Sequence, residues 1–399
     1  MSEQEDVDGR VKPGQGGIDK DRTPMISRRA FLTAAAAGAL CRPAFAAPSA
    51  QPTPPLRDIA AERGLLYGSY IDPWEIQQQA DYAAVCEREC GLMVTARMDW
   101  DHLQPTPDRH DFTGVDADYD WARKYDMKFR GHTLVYGERP PHWYADLPNR
   151  AAAVAALEKH VTETCRHFAG RMQSWDVVNE AILIPAGRPD HLRPHVFLDK
   201  IGPDYLDLSY RTARAADPSA TLVYNEFGIE MELPEQVAKR QVLLDLIDGF
   251  KKRGVPLDAV GLQSHLYFAD MPHFDEKAFS RFLDELAARG LEVMLTELDV
   301  VDKGAPSDIA ARDAAVAGVY RRYLDVALAH QAVTTVITWG VSDRMSWIIS
   351  VPDPLTHRDD GQRPRPLPFD ADMHPKPAYF AIAEALHNAP RRSGSPKRA

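Results

Sequence analysis

From residue 65 to residue 388, short apolar runs of strand length alternate with longer segments of helical periodicity, and this alternation constrains the chain more than any other feature. The runs lie at 65–71, 92–98, 128–136, 173–179, 221–227, 259–266, 292–298 and 333–340. Helical patterns separate them near 75–88, 115–125, 150–168, 203–216, 234–252, 275–288 and 308–329, with a last one at 376–387. Buried strands that alternate with helices pair in parallel and are covered by those helices. Eight such units with no linker between them fit a closed (β/α)8 TIM barrel better than an open, doubly wound sheet. There is no clean internal repeat. Neither a Walker loop nor a glycine fingerprint follows the first run, so no nucleotide site is indicated. In a barrel, chemistry gathers at the carboxyl ends of the strands.

Charge and cysteine content narrow the options further. With 58 acidic against 47 basic residues the chain carries −11, the opposite of the basic field expected of a nucleic-acid binder. Four cysteines in 399 residues are too few for a disulfide-built scaffold, though they leave room for one bridge. Cys86 and Cys90, at helical spacing in CERECG, are open to three readings: plain thiols, a disulfide or part of a metal site. His191 and His195 in HLRPH lack the glutamate of a zinc-hydrolase helix, and Pro194 interrupts it.

The amino-terminal region reads as a targeting segment. SRRAFL at 27–32, an alanine-rich run to Leu40 and Ala44-Phe45-Ala46 resemble a twin-arginine export signal with its cleavage point. Its apolar run falls short of the roughly 20 residues of a packed membrane helix. A periplasmic or secreted location is therefore expected, with a signal over 25–46 that starts at Met25. Residues 1–24 would be an upstream extension of the reading frame or an added segment. Residues 47–59 are expected to be a disordered lead-in, 60–388 the barrel, and 389–399 a basic disordered tail.

Two of the runs end in acids. SWDVVNEAI finishes on Asn179 and Glu180, and EVMLTELDV carries Glu297 and Asp299. Either glutamate alone could be a solvated loop residue. Together, from opposite sides of one barrel, they make a possible carboxylate pair across a cleft. Gln263 and His265, two apart in QSHLY, project from the same strand face.

WDVVNEAI, LTELDV, GLQSHLY, GHTLV and WGVSDRMSW, with the closing FDADMHPKPAY and the spacing between them, resemble glycoside hydrolase family 10, the xylanase family. The resemblance covers nearly all of 60–388. It implies an endo-1,4-β-xylanase that cleaves xylan or xylo-oligosaccharides with retention by double displacement, needing no cofactor and no metal. Nucleic acid, a specified protein partner and stable membrane attachment after signal cleavage are not expected. Carried over residue by residue, it makes Glu180 the general acid/base and Glu297 the nucleophile, with His265 and Asp299 orienting the nucleophile. Asn179 would bond the sugar 2-hydroxyl. His132 would be a glycone ligand or a structural histidine, and Trp339 and Trp347 the aromatic walls. Gln263 and Tyr136 join the substrate-binding set, as does Asn225, which with Glu226 corresponds to a cleft edge. Trp143 is read as structural.

The departures from that family are equally specific. GHTLV usually continues with Trp-His, and here it continues with Tyr136-Gly137. A Glu-Asn pair and a lysine that hold the distal glycone sugar are replaced within Thr95, Ala96, Arg97, Met98, Asp99 and Trp100. Arg97, Glu138 or Arg139 could supply other contacts, for instance an arginine fork to a uronic acid, or could simply be solvated. These changes leave open a family-10-like glycosidase or transglycosidase acting on decorated, short or aryl β-glycosides. A carbohydrate-binding barrel without catalysis is the contrasting class, and it would have no use for the glutamate pair.

Overall fold

A computed structural model describes residues 54–350 and 354–392. The expected export signal and the residues before it lie outside the described residues. Eight parallel strands close on themselves: β1 (Leu66–Tyr70), β2 (Leu92–Val94), β3 (Lys128–Gly131), β4 (Ser174–Asn179), β5 (Thr221–Glu226), β6 (Ala259–Leu262), β7 (Glu292–Val301) and β8 (Val333–Thr338). Each pairs with the next, and β8 returns to β1 with Leu66 opposite Thr335, so the sheet has no edge. The expected (β/α)8 barrel is therefore the observed fold.

Helices fill the outside because their apolar faces have nowhere else to go. Glu276–Ala288 buries Phe279, Phe282, Leu283 and Leu286 and begins on Asp275, whose carboxylate accepts from the amides of Lys277 and Ala278. Inside the barrel, close packing leaves little freedom. A Cβ added to Gly131 would come within 2.0 Å of the buried Trp175 ring on the neighbouring strand, so only glycine fits there.

Several expected elements differ from those observed, each for a local reason. The helical pattern 75–88 is two helices, Glu75–Gln78 and Ala80–Glu89, since Gln79 is extended and its side chain accepts from Arg344. The run 92–98 stops at Val94; Thr95 turns the chain into a 3-10 turn and bonds Asp118 at 2.8 Å. The run 128–136 breaks after Gly131 and resumes at Val135–Tyr136. The run 259–266 breaks at Ser264, whose φ is +62°, and resumes at His265–Tyr267.

Both ends of the described chain are more ordered than expected. Residues 56–59, assigned to the disordered lead-in, belong to a helix, Leu56–Glu62; Leu56 is fully buried and its amide donates to the Glu89 carboxylate at 2.8 Å. Residues 389–392, assigned to the disordered tail, dock as well: Ala389 is buried, and Arg392 donates to the carbonyls of Val333 and Leu328. Apolar contacts and three hydrogen bonds of this kind leave no mark in a Pro- and Arg-rich composition. Among the described residues Cys86, Cys90 and Cys165 are buried free thiols, unpaired with one another, and none belongs to a cluster of side chains placed to hold a metal ion; burial pushes the Cys86 thiol up.

Candidate active site

The glutamates meet at the carboxyl mouth of the barrel, as strand-end positions require. Glu180 follows the last residue of β4 and takes a left-handed backbone, φ +54°. Glu297 lies within β7, which continues past it to Val301. Both line a cleft of about 790 Å³, together with Gln263, His265, Trp339 and Trp347.

An unbroken chain of amides connects the two carboxylates. Gln263 Nε2 donates to Glu180 Oε1 at 3.0 Å and to Asn179 Oδ1 at 3.3 Å. Asn225 Nδ2 donates to that same Asn179 oxygen at 2.9 Å and to Glu297 Oε1 at 2.7 Å. Thr296 Oγ1 fixes the other end of Asn225 at 2.6 Å. Because Asn225 must present its oxygen to Thr296, its nitrogen is the atom left to face Glu297.

The second oxygen of Glu297 is held by a relay of donors. His265 Nε2 lies 3.2 Å from Glu297 Oε2 and His265 Nδ1 3.0 Å from Asp299 Oδ1, while the indole of Trp347 donates to Asp299 Oδ2 at 2.7 Å. The left-handed turn at Ser264 aims the histidine. Glu230 accepts the Ser264 amide at 3.0 Å, and the Ser264 hydroxyl bonds Leu262 O and the Tyr323 hydroxyl. Burial opposes a charge on His265, but Asp299 and Glu297 carry its pKa well above the usual value.

The two glutamates are biased in opposite directions. Burial pushes Glu180 above the usual carboxylate range against the Gln263 hydrogen bond; Glu226 and Glu297 add to the rise, and Arg193 opposes it. Burial also acts to raise Glu297, yet it lies below the usual range. The His265 hydrogen bond, the charges of His132 and His265 and the Asn225 amide together outweigh desolvation. One carboxyl group is thus disposed to keep a proton and the other to lose it, which is the division of labour a double displacement needs.

His132 adds a cation beneath the pair. Its Nδ1 donates to Asp176 at 2.8 Å, and Asp176 in turn binds the buried Arg130. Burial disfavours the imidazolium, but Asp176, Glu297 and Asp99 bring its pKa up to about 9. His132 also lies edge-on to Trp339, with centroids 5.3 Å apart. Beyond the tryptophans a smaller cavity of about 240 Å³ is lined by Tyr70, Asp72, Asp99, His132 and Met345.

Most of the expected residues converge here, and some do so in a different capacity. Asn225, expected in substrate binding, is fully buried and spends its amide nitrogen on Glu297 and Asn179, so it supports Glu297 from within and presents no surface to the cleft. Glu226 is equally buried and pairs with Lys239 at 2.8 Å, so it is no cleft edge. Gln263 lines the cleft, and both it and Tyr136 donate to Glu180, at 3.0 and 3.1 Å. Trp143 packs against Trp100 and donates to Gln104 O, a structural position as expected. Arg97 binds Asp118 and lies over Trp74; Arg139 binds Asp99 and Asp101. Both guanidiniums are thus engaged by carboxylates of the chain itself, and neither is among the residues that line the cleft or the smaller cavity.

Sequence reasoning missed Arg193, Asp176 and Glu230. Arg193 sits inside HLRPH, where attention to histidine spacing hid it. Of those histidines, His195 caps the helix Val196–Ile201 by accepting the Leu198 amide at 3.2 Å. Its ring also fills the space beside Gly137, where a Cβ would come within 2.4 Å.

Comparison with known proteins agrees with this arrangement. Residues 55–385 match the model of glycosyl hydrolase family 10. Endo-1,4-beta-xylanase B of Thermotoga neapolitana is 32% identical over 83% of this chain and 91% of its own length. Endo-1,4-beta-xylanase A of Thermoanaerobacterium saccharolyticum is 31% identical, but the chain spans only 28% of that longer protein. Xylanase 10B of Thermotoga petrophila RKU-1, solved with xylobiose, superposes with a TM-score of 0.74 at 29% identity, over 83% of this chain and 97% of that one. With the barrel, the paired glutamates and a family match over residues 55–385 in agreement, the chain belongs to glycosyl hydrolase family 10 and is an enzyme of that family.

Proposed function

We propose that the protein is a retaining endo-1,4-β-xylanase acting on xylan and xylo-oligosaccharides. The observation that carries this reading is the opposite protonation bias of two carboxylates joined by one amide chain. Glu297, ionised and held by His265 and Asn225, attacks the anomeric carbon while Glu180 gives its proton to the departing glycosidic oxygen. The bond from carbon to the leaving oxygen breaks as the bond to Glu297 forms. Direct attack calls for carboxyl groups about 5–5.5 Å apart in such enzymes. Once Glu297 is an ester its charge is gone, so the pKa of Glu180 falls and the carboxylate can take a proton from water. That water then releases the sugar with its original configuration.

Several neighbours fit supporting roles. The Asn179 amide nitrogen lies 3.4 Å from Glu180 Oε1, the weakest contact in the chain, which suits a donor that transfers to a sugar 2-hydroxyl. Trp339 and Trp347 border both cavities and offer flat apolar walls to pyranose faces. Export through the twin-arginine-like segment, placing the enzyme in the periplasm or outside the cell, completes the proposal.

A second reading rests on Asp72 and Asp99. Both line the smaller cavity, and Asp99 lies in the stretch that replaces the family's glycone-binding Glu-Asn pair and lysine; two carboxylates there favour short or aryl glycosides over a long glycone. Product analysis on linear xylo-oligosaccharides, glucuronoxylan and aryl-glycosides, with Glu297→Ala as background, separates the two. Internal cuts in xylan, absent in the variant, support the endo-xylanase. Release from aryl-glycosides with xylan untouched rejects it in favour of the second reading.

A further inference from the structure

Glu180 is held from a direction that the amide chain does not reach. Arg193 Nε donates to the Glu180 carbonyl at 2.8 Å and Arg193 Nη2 to the Glu180 carboxylate at 3.3 Å. One guanidinium thus grips the backbone and the side chain of a single residue, and that residue has a left-handed backbone unusual for glutamate. The Tyr136 hydroxyl donates to the same carboxylate oxygen at 3.1 Å. The remaining outer nitrogen of Arg193 donates to Glu138 at 3.0 Å. The Arg193 side chain is only 11% exposed whereas that of Glu138 is 55% exposed, so the chain of charges runs from the acid/base outward to solvent.

We infer that Arg193 is a positioning residue for the acid/base and that Glu138 sets how strongly its charge is felt at Glu180. This rests on the assignment of Glu180 as acid/base. A cation beside a general acid favours the ionised form and so opposes proton retention. Glu138 draws part of that charge away. The other groups facing Glu180 are Glu226 on β5, Glu297 on β7, Gln263 after β6 and Tyr136 after β3. His195, beside Arg193, is carried down to about 4 by burial and by that arginine and so adds no charge near neutrality. Among the described groups, Glu138 is therefore the accessible anion through which the acid/base can be tuned without touching the buried site.

The test is kcat/KM against pH for wild type, Arg193→Gln, Glu138→Gln and Glu180→Gln, on aryl β-xylobiosides with a poor and with a highly activated leaving group. An activated leaving group departs without a proton, so it isolates the acid role from the fold. Arg193→Gln is expected to lose roughly tenfold to a hundredfold on the poor leaving group and little on the activated one. Its basic limb should move up by about one pH unit, because an opposing cation is gone. Glu138→Gln should move the basic limb the other way by a few tenths of a unit, and its exposed side chain makes misfolding no obstacle. Equal losses on both leaving groups for Arg193→Gln, or an unmoved or upward-moving limb for Glu138→Gln, would overturn the inference. If Glu180→Gln itself shows no dependence on leaving group, the fault lies in the assignment of Glu180.

Discussion

The two halves of the site are built differently. Glu297 is held by residues of strands and strand ends: Asn225 on β5, His265 just after β6 and Asp299 on β7, all buried or nearly so. Glu180 shares Gln263 with that framework, but its second oxygen depends on Tyr136, from the short strand Val135–Tyr136 beside β4, and on Arg193, from the loop before the helix Val196–Ile201, which leads out to an exposed glutamate. A nucleophile needs one fixed charge state and one fixed direction of attack, and a dense interior supplies both. An acid/base must change protonation twice in each turnover. Contacts that reach solvent let its charge respond.

The largest effects should come from the nucleophile half. Asp299→Asn leaves His265 without its anionic partner and weakens its hold on Glu297; kcat should fall at least about a hundredfold, and a fall under tenfold would show that Trp347 and Asn225 suffice. Asn225→Ala removes the donor to both Asn179 and Glu297 inside a fully buried site. Unmet partners there cost about 1–3 kcal/mol each, so a clear drop in the chemical-denaturation midpoint is expected. The acid limb of kcat/KM should move up at the same time, as Glu297 loses a hydrogen bond that favours its ionised form.

Two smaller effects sharpen the contrast. Gly131→Ala pushes a methyl group into the Trp175 ring and should cost about 1–3 kcal/mol by overpacking, read as a lowered melting temperature. On the acid/base half, Tyr136→Phe removes one donor to the Glu180 carboxylate. Stability should change by about 1 kcal/mol or less, while the basic limb moves up slightly. A large loss of stability in that variant would contradict the division between a rigid half and a tunable one.

The pH dependence of folding follows from His132. Its pKa is raised from 6.5 to about 9 in the folded chain, so its contribution is fully present below pH 6.5 and fades as pH climbs through about 9. Unfolding free energy measured across that window should decline, and Asp176→Asn should flatten the decline because the main partner of the imidazolium is gone.

What the sequence disclosed tracks the same division. The strand ends were legible because WDVVNEAI and LTELDV put an acid after an apolar run, and a barrel dictates where such residues point. His265 and Asp299 could be placed with Glu297 for the same reason. Asn225 was found but misassigned: nothing in YNEF tells a buried amide from one at the rim. Arg193 went unseen since its partner lies 13 residues away across a loop whose path no periodicity describes. The breaks at Gln79, Thr95 and Ser264 escaped for a similar reason, as each is set by contacts with distant segments such as Arg344, Asp118 and Glu230.

The most direct measurement is to trap the covalent intermediate with an activated 2-deoxy-2-fluoro-xylobioside and locate the adduct by peptide mass spectrometry. Double displacement through the buried carboxylate predicts a single fluoroxylobiosyl ester on Glu297, formed as activity is lost and released when a sugar acceptor is added. An adduct on another residue, or turnover with inversion and no adduct, would contradict it.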